Sequence, residues 1–308
     1  MFIREDIEVA TGIACPVCGS SVRRTLYCYK RKGEEGRIYD CRHCGFLFLH
    51  PVPLSDLTDR RMDTLEDAEL FNNSLLKFLH EKLIVNREIA IVRKLVQKDR
   101  FSLLDIGCGT GWTSSIWQRV GAEVTGLEPS PRRAAVAKER HGLRILQSSI
   151  EELRSEKKYD VIVMRHVLEH IADPLPVLAS IRGHLDEKGI AVIIVPNINC
   201  IGRYLFGARW TWVLPWHCDF FSPRSMRYLM KRSGFDVVKL YQMPSPLWYP
   251  QSFLRLIPGS ERFSAGLYRT LSLASFLPFI PLVLLGYLTG QSDNITIIAR
   301  REQGDGSC

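Results

Sequence analysis

Residues 103–112 read LLDIGCGTGW, and this run restricts the chain to very few folds. Leu103, Leu104 and Ile106 surround Asp105 as in a short buried strand. Gly107, Gly109 and Gly111 follow at alternate positions. Glycine takes up positive φ and leaves no Cβ in the way of a ligand. The next residues, TSSIWQRVGAEV, read as a helix and then a second strand. Strand, glycine turn and helix together open a nucleotide-binding α/β sheet, whose ligands sit beyond the carboxyl ends of the strands. Glu128 lies near the end of the second strand, in VTGLEPS, where its carboxylate can accept both hydroxyls of a ribose. A dinucleotide-dependent dehydrogenase is the lesser alternative, because DxGCGxG is not G-x-G-x-x-G spacing.

The alternation of elements continues downstream. Residues 131–141 form an amphipathic helix and 143–146 a third strand. YDVIVMRHVLEHIADP then supplies a fourth strand at 160–164, apolar on both faces as a parallel strand under helices must be. The pattern predicts a helix through 165–171, which would put His166, Glu169 and His170 on one face at i, i+3 and i+4. Three roles stay open for this trio: His166 or His170 as a general base, the three together as a divalent-metal site, or simple hydrogen bonding to loops. Asp173-Pro174 starts a helix over 174–185, and 190–196 is a fifth strand. A helix at 223–233, a strand at 235–241 and a last strand in NITIIAR at 294–300 complete the sheet.

Cys15-x-x-Cys18-Gly and Cys41-x-x-Cys44-Gly are two knuckles. Facing one another, they offer four sulfurs in a tetrahedron, which suits a structural Zn²⁺ with no open coordination position. The gap between them leaves room for a hairpin over 22–29 and 37–39. A stretch of about 54 residues with so little apolar sequence needs such a staple. Two redox pairs are the lesser reading.

LDIGCGTGW, with VTGLEPS and YDVIVMRHVLEHIADP behind it, resembles the class I S-adenosylmethionine (SAM) methyltransferases, in the branch with H-x-x-E-H after the fourth strand. The resemblance covers about 101–241 and resumes at 294–301. It implies a Rossmann-like α/β fold, a seven-stranded sheet with helices on both faces, plus the small N-terminal zinc ribbon. It implies that Asp105, Gly107, Cys108, Gly109 and Gly111 hold the methionine and ribose end, that Glu128 binds the ribose hydroxyls, and that Arg165 lies against the cofactor. An acidic residue often meets the adenine amino group where this chain has Ser149, so Ser149 or the backbone of Ile150 takes that place. A similar E-x-x-E-H stretch binds metal in some quinone-pathway O-methyltransferases, with His166 here replacing the first Glu. WHCDFF resembles the family's acceptor loop and adds His217 to His166 and His170 as a base candidate. Some sugar C-methyltransferases share the layout of a zinc module ahead of a SAM domain.

The expected organisation is a zinc module at 1–54, a linker with lid helices at 55–98, the SAM-binding core at 99–242, a hydrophobic insertion at 243–292 and the last strand with its tail at 293–308. The insertion lacks any charge between Arg269 and Asp293. Pro278 and Pro281, and the need to return to the same sheet, argue against a single membrane span. A re-entrant or interfacial hairpin, with 247–257 as its other arm and Arg255, Arg262 and Arg269 toward headgroups, is the expectation; a soluble cap or a dimer interface has equal weight. The net charge of +8 suits an anionic partner, but no basic helix interleaved with aromatics points to nucleic acid. No apolar signal core opens the chain and the other cysteines have no pair spacing, so a cytoplasmic protein, peripheral on the inner membrane face, is expected. The sequence thus reads as a SAM-dependent methyltransferase acting on a small-molecule, glycan or lipid-linked acceptor. Its rivals are a soluble nucleotide-sugar methyltransferase and a non-catalytic SAM-binding zinc scaffold.

Overall fold

Alternate residues of the central strands feed two different cores. In a computed structural model of the chain, Leu104, Ile106, Ile162, Met164, Ala191 and Ile193 pack on one side of a sheet. Leu103, Val161, Val163, Ile190 and Val192 pack on the other. This is the period-2 consequence of strands covered on both faces. The structure describes residues 2–8, 12–22, 24–31, 34–52, 78, 80–214, 216–245, 248–260 and 263–302. Of the expected linker and lid helices at 55–98, residues 55–77 and 79 fall outside them.

The main sheet has seven strands in the order β11-β12-β9-β8-β5-β6-β7. They are β5 (Phe101–Ile106), β6 (Ala122–Leu127), β7 (Arg144–Leu146), β8 (Tyr159–Arg165), β9 (Leu185–Pro196), β11 (Phe235–Met243) and β12 (Asn294–Arg301). β5 to β9 pair in parallel, and β12 runs antiparallel between β9 and β11. The carboxyl ends of β5, β6, β8 and β9 therefore share one edge. The expected helix over 165–171 is not there. β8 runs on to Arg165, His166 turns left-handed at φ 54°, and only Leu168–His170 coils, as a single 3₁₀ turn. His166 N–H donates to Ile194 O at 2.9 Å, which holds this residue to the neighbouring strand instead of a helix.

A second sheet, β1-β2-β3-β4-β10, unites the N-terminal segment with the core. Its strands are β1 (Phe2–Glu8), β2 (Arg24–Arg31), β3 (Glu34–Asp40), β4 (Leu47–His50) and β10 (Asp219–Phe220). β10 belongs to the acceptor-loop segment, 170 residues away in sequence. It pairs Asp219 with Phe48 and Phe220 with Leu47, and Leu49 N–H donates to Cys218 O at 2.8 Å. Phe46, fully buried, packs its ring 5.6 Å from that of Phe221.

Among the described residues the insertion forms three short α-helices, Trp248–Leu254, Ala265–Ala274 and Ile280–Leu288, rather than a two-armed hairpin. Among the described residues no helix is long and apolar enough to cross a membrane. Arg255 does not reach outward as expected: its guanidinium donates to Trp210 O and Val213 O at 2.8 and 3.4 Å. Arg262 and the side chain of Arg269 lie outside the described residues. Asp293 joins the insertion to β12. Its buried carboxylate accepts from Ser245 N–H at 3.2 Å, and burial pushes its pKa up to about 7 from 3.8. A folded-state pKa above the unfolded one stabilises the fold fully below about 3.8, and that contribution is lost as pH rises through about 7. Asp293→Asn should therefore gain stability over the wild type at about pH 8, by roughly 1–4 kcal/mol, and little near pH 4. Denaturant melts of both proteins across this window check it.

Candidate active site

The glycine turn is shaped by close approaches. A Cβ on Gly107 would lie 2.3 Å from Val167 Cγ2, and Gly107 sits at φ 68°. Gly109, at φ 57°, has open space where its Cβ would point, so this backbone presents a bare face to a ligand. Its N–H donates to Glu128 Oε2 at 2.8 Å, and Ser130 N–H donates to Glu128 Oε1 at 2.9 Å. Glu128 is buried, and its two oxygens are thereby fixed in orientation. A carboxylate offers about four lone-pair positions, so two stay available for hydroxyl donors. Asp105 is buried beneath the turn and accepts from Ser114 Oγ at 2.5 Å, while burial pushes its pKa up to about 6. Cys108 is buried in the same turn, and burial raises its thiol above the ordinary range. Ser149 follows β7 half-buried, its N–H donating to Glu152 Oε2 at 3.4 Å, and Ile150 beside it is buried.

Arg165 is occupied. Its Nη2 donates to both oxygens of Glu88 at 2.8 Å, and Glu88 is itself buried on the helix Asn86–Val96. The pair ties that helix to the carboxyl end of β8. His80, just upstream, stacks obliquely 5.6 Å from Trp112 at the start of the helix after the glycine turn.

His166, His170 and His217 do converge, around Glu169 and two tryptophans. Glu169 is buried, with Oε1 3.3 Å from His166 Nδ1 and Oε2 without a hydrogen-bond partner. Burial pushes the Glu169 carboxyl up, but the hydrogen bond with His166 and the other imidazole neighbours hold it below the usual carboxylate range. His170 Nδ1 lies 3.1 Å from Trp216 O, and His217 Nδ1 lies 2.9 Å from Trp212 O. A carbonyl only accepts, so each Nδ1 carries a proton. Burial, and then His170 beside it, lowers His217 to about 3, so its ring is neutral. Ligand-capable atoms of Glu169, His170 and His217 lie within 4.8 Å of one another. Among the described residues this set, with His217 in place of His166, brings its ligand atoms close enough to hold a divalent cation.

Trp212 is sandwiched between His166 at 4.9 Å and His217 at 5.4 Å, both stacked. Trp248, the first residue of the insertion's first helix, meets His166 edge-on at 5.7 Å and Trp212 at 4.3 Å. Asp219, buried under the cluster with Oδ2 unpartnered, has its carboxyl raised well above the usual range by burial. Glu88, Trp212 and Trp248 have no local motif to mark them, whereas Asp219 lies within WHCDFF. Only the Arg/Trp-rich run at 203–216 hinted at the aromatic wall.

The four cysteines come together as a compact group. Cys15 and Cys44 Sγ are 3.7 Å apart, Cys18 and Cys41 Sγ 3.4 Å. Bonds of about 2.3 Å to a tetrahedral zinc place sulfurs about 3.8 Å apart, so the set fits that metal. Gly19 and Gly45, each at φ 75°, turn their N–H groups back to Cys15 O and Cys41 O at 2.8 and 2.7 Å.

A family model described as a methyltransferase domain matches residues 70–240. The ubiquinone biosynthesis O-methyltransferase of Cereibacter sphaeroides is 35% identical over 151 residues, 44% of this chain and 60% of that protein. The protein of the same name from Rickettsia prowazekii is 34% identical over 113 residues, 35% of this chain and 44% of its own. The chain thus spans less than two thirds of the length of each of these two relatives. Among solved structures, a cyclopropane synthase from Mycobacterium tuberculosis aligns with a TM-score of 0.53 at 16% identity, covering 82% of this chain and all of that one. A putative sarcosine dimethylglycine methyltransferase from Galdieria sulphuraria aligns at 0.51 and 19%, covering 71% and 84%. These last two likenesses are of fold.

Proposed function

We propose a function from this premise: the chain belongs to the methyltransferase domain family. It is a SAM-dependent methyltransferase whose acceptor is a small molecule, carried free, on a glycan or on a lipid, and it works at a membrane surface. The observation that carries this reading is the shared edge. Glu128, oriented by two backbone N–H groups, and the Glu169–histidine cluster both lie at the carboxyl ends of the parallel strands. Bound SAM supplies a methyl group already activated by its sulfonium, so the chain has to position the acceptor and take its proton. Glu128, Gly109 and Asp105 hold the cofactor; Ser149 and Ile150 flank its base.

His166 is the general base. Its side chain is 25% exposed, whereas that of Glu169 behind it is 1%. Glu169 Oε1 accepts from His166 Nδ1, which leaves the Nε2 lone pair for the acceptor, in the manner of a carboxylate–imidazole pair. His170 and His217 hold the pocket's shape through their carbonyl bonds, with a divalent cation among Glu169, His170 and His217 as the second use of that cluster. The cysteine knuckles hold a structural zinc. The O-methyltransferase relatives favour an oxygen acceptor. Incubation with methyl-labelled SAM and a total cell extract tests the reading. Label should enter the organic-soluble fraction, and His166→Gln should cut transfer by about 10²–10⁴ while still binding SAM. SAM binding without any transfer would favour the scaffold reading, and label in water-soluble nucleotide sugars the soluble one.

A further inference from the structure

The insertion carries most of the large apolar side chains left exposed among the described residues. Leu277 and Leu288 are 70% and 80% exposed, and Leu284 54%. The helix Ile201–Phe206 lies outside the insertion yet joins the same packed unit. Its Phe206 meets Tyr249 and Phe279 at 6.3 and 6.2 Å, while its Tyr204 and Leu205 stay exposed. No charged residue occurs from 270 to 292. An apolar surface this continuous marks an interaction site.

We infer that this surface seats the protein on a lipid bilayer, with Tyr204 and Leu205 as part of the seat. Helix Ile280–Leu288 reads IPLVLLGYL and buries only Val283 and Gly286 against the protein. Its outward side offers Leu284, Leu285 and Leu288, and its single polar side-chain group, the hydroxyl of exposed Tyr287, already accepts from Arg87 Nη1 at 3.0 Å, so it is not left for the rim of a protein partner. A bilayer demands no such pairing: it takes up apolar side chains to the depth of the headgroup boundary. The helices are too short to cross it, which leaves an in-plane seat. The chain's net charge of +8, with exposed Arg209 beside this unit, complements an anionic leaflet. Trp248 extends the inference to the substrate. It opens the insertion's first helix and touches the His166 ring, so the unit that carries the seat also borders the acceptor edge. A lipid-soluble acceptor reaches His166 without crossing water. This last step rests on the methyltransferase reading; the seat itself does not.

The test is co-sedimentation of the full chain with vesicles of phosphatidylcholine, with and without phosphatidylglycerol, in low and high salt. SAM binding is measured on the same samples. The wild type should sediment with the anionic vesicles and stay bound in high salt, because apolar insertion is not screened. Leu284→Glu with Leu288→Glu should weaken vesicle binding about tenfold or more and leave SAM affinity unchanged. A wild type that stays in the supernatant overturns the inference, as does binding that high salt abolishes. So does a vesicle-free dimer that this double variant turns into monomer, since a second copy then covers the face. Failure to sediment with SAM binding intact removes the seat alone. Loss of SAM binding with sedimentation intact removes the methyltransferase reading alone.

Discussion

Glu128→Ala should weaken SAM binding by at least about 100-fold, the largest loss expected from any single polar side chain in the chain. Two effects add. The ribose loses a charged acceptor, where each such hydrogen bond contributes about 1.5–3 kcal/mol. The Gly109 and Ser130 N–H groups, which Glu128 now orients, lose their common partner, and the turn between β5 and its helix is released. Glu128→Gln separates the two. An amide has one accepting oxygen, so it can satisfy one of those N–H groups but must turn a donor toward the other. It should fall between wild type and alanine. Calorimetric titration with SAM and with its demethylated product reads both variants. An affinity within a fewfold of wild type for the alanine variant would remove Glu128 from the cofactor site.

How much of this could be read along the chain depends on the range of the interactions. The glycine turn, Asp105 and Glu128 were legible because steric demands within a few residues determine them: Gly107 cannot carry a Cβ beside Val167. The parallel strands were legible because each is apolar on both faces. The H-x-x-E-H run was misread as a helix because its spacing suits one. The deciding force is tertiary, the strand-like bond from His166 N–H to Ile194 O and the positive φ that follows from it. His166 and Glu169 still meet within that turn, and His217 joins them because Asp219–Phe220 pairs with β4 and Cys218 N–H donates to Glu169 O, not through helical periodicity. Trp212 and Trp248 come from segments 36 residues apart, and Glu88 meets Arg165 across 77 residues. No local pattern encodes such pairs. β1 escaped notice because its FIREDIE carries four charges in seven residues and pairs at a sheet edge.

Removing the metal from the cysteine knuckles should abolish methyl transfer and leave SAM binding nearly intact. One strand ladder links the knuckles to the acceptor loop. Cys41 and Cys44 close the turn between β3 and β4; β4 pairs with β10; and β10 directly follows His217 and Cys218. Cys218 N–H in turn donates to Glu169 O at 2.7 Å. Arg224, on the helix Pro223–Arg232, donates to Arg42 O and His43 O inside the second knuckle at 3.3 and 2.7 Å. The cysteine module thus braces the loop that carries His217 against the turn that carries Glu169, while the glycine turn and Glu128 lie just past the ends of β5 and β6. Structural zinc contributes about 10–16 kcal/mol to small modules, so the second sheet should not survive without it. Chelation of the intact protein should release about one zinc per chain, lower the melting temperature and stop transfer. Readdition of zinc should restore all three. Cys44→Ser should reproduce the apo protein, with SAM affinity within about tenfold of wild type. Full transfer by zinc-free protein would mean that the knuckles do not brace the acceptor loop. Loss of SAM binding in parallel with transfer would mean that the two sheets unfold as one unit, and the division of labour between them would be wrong.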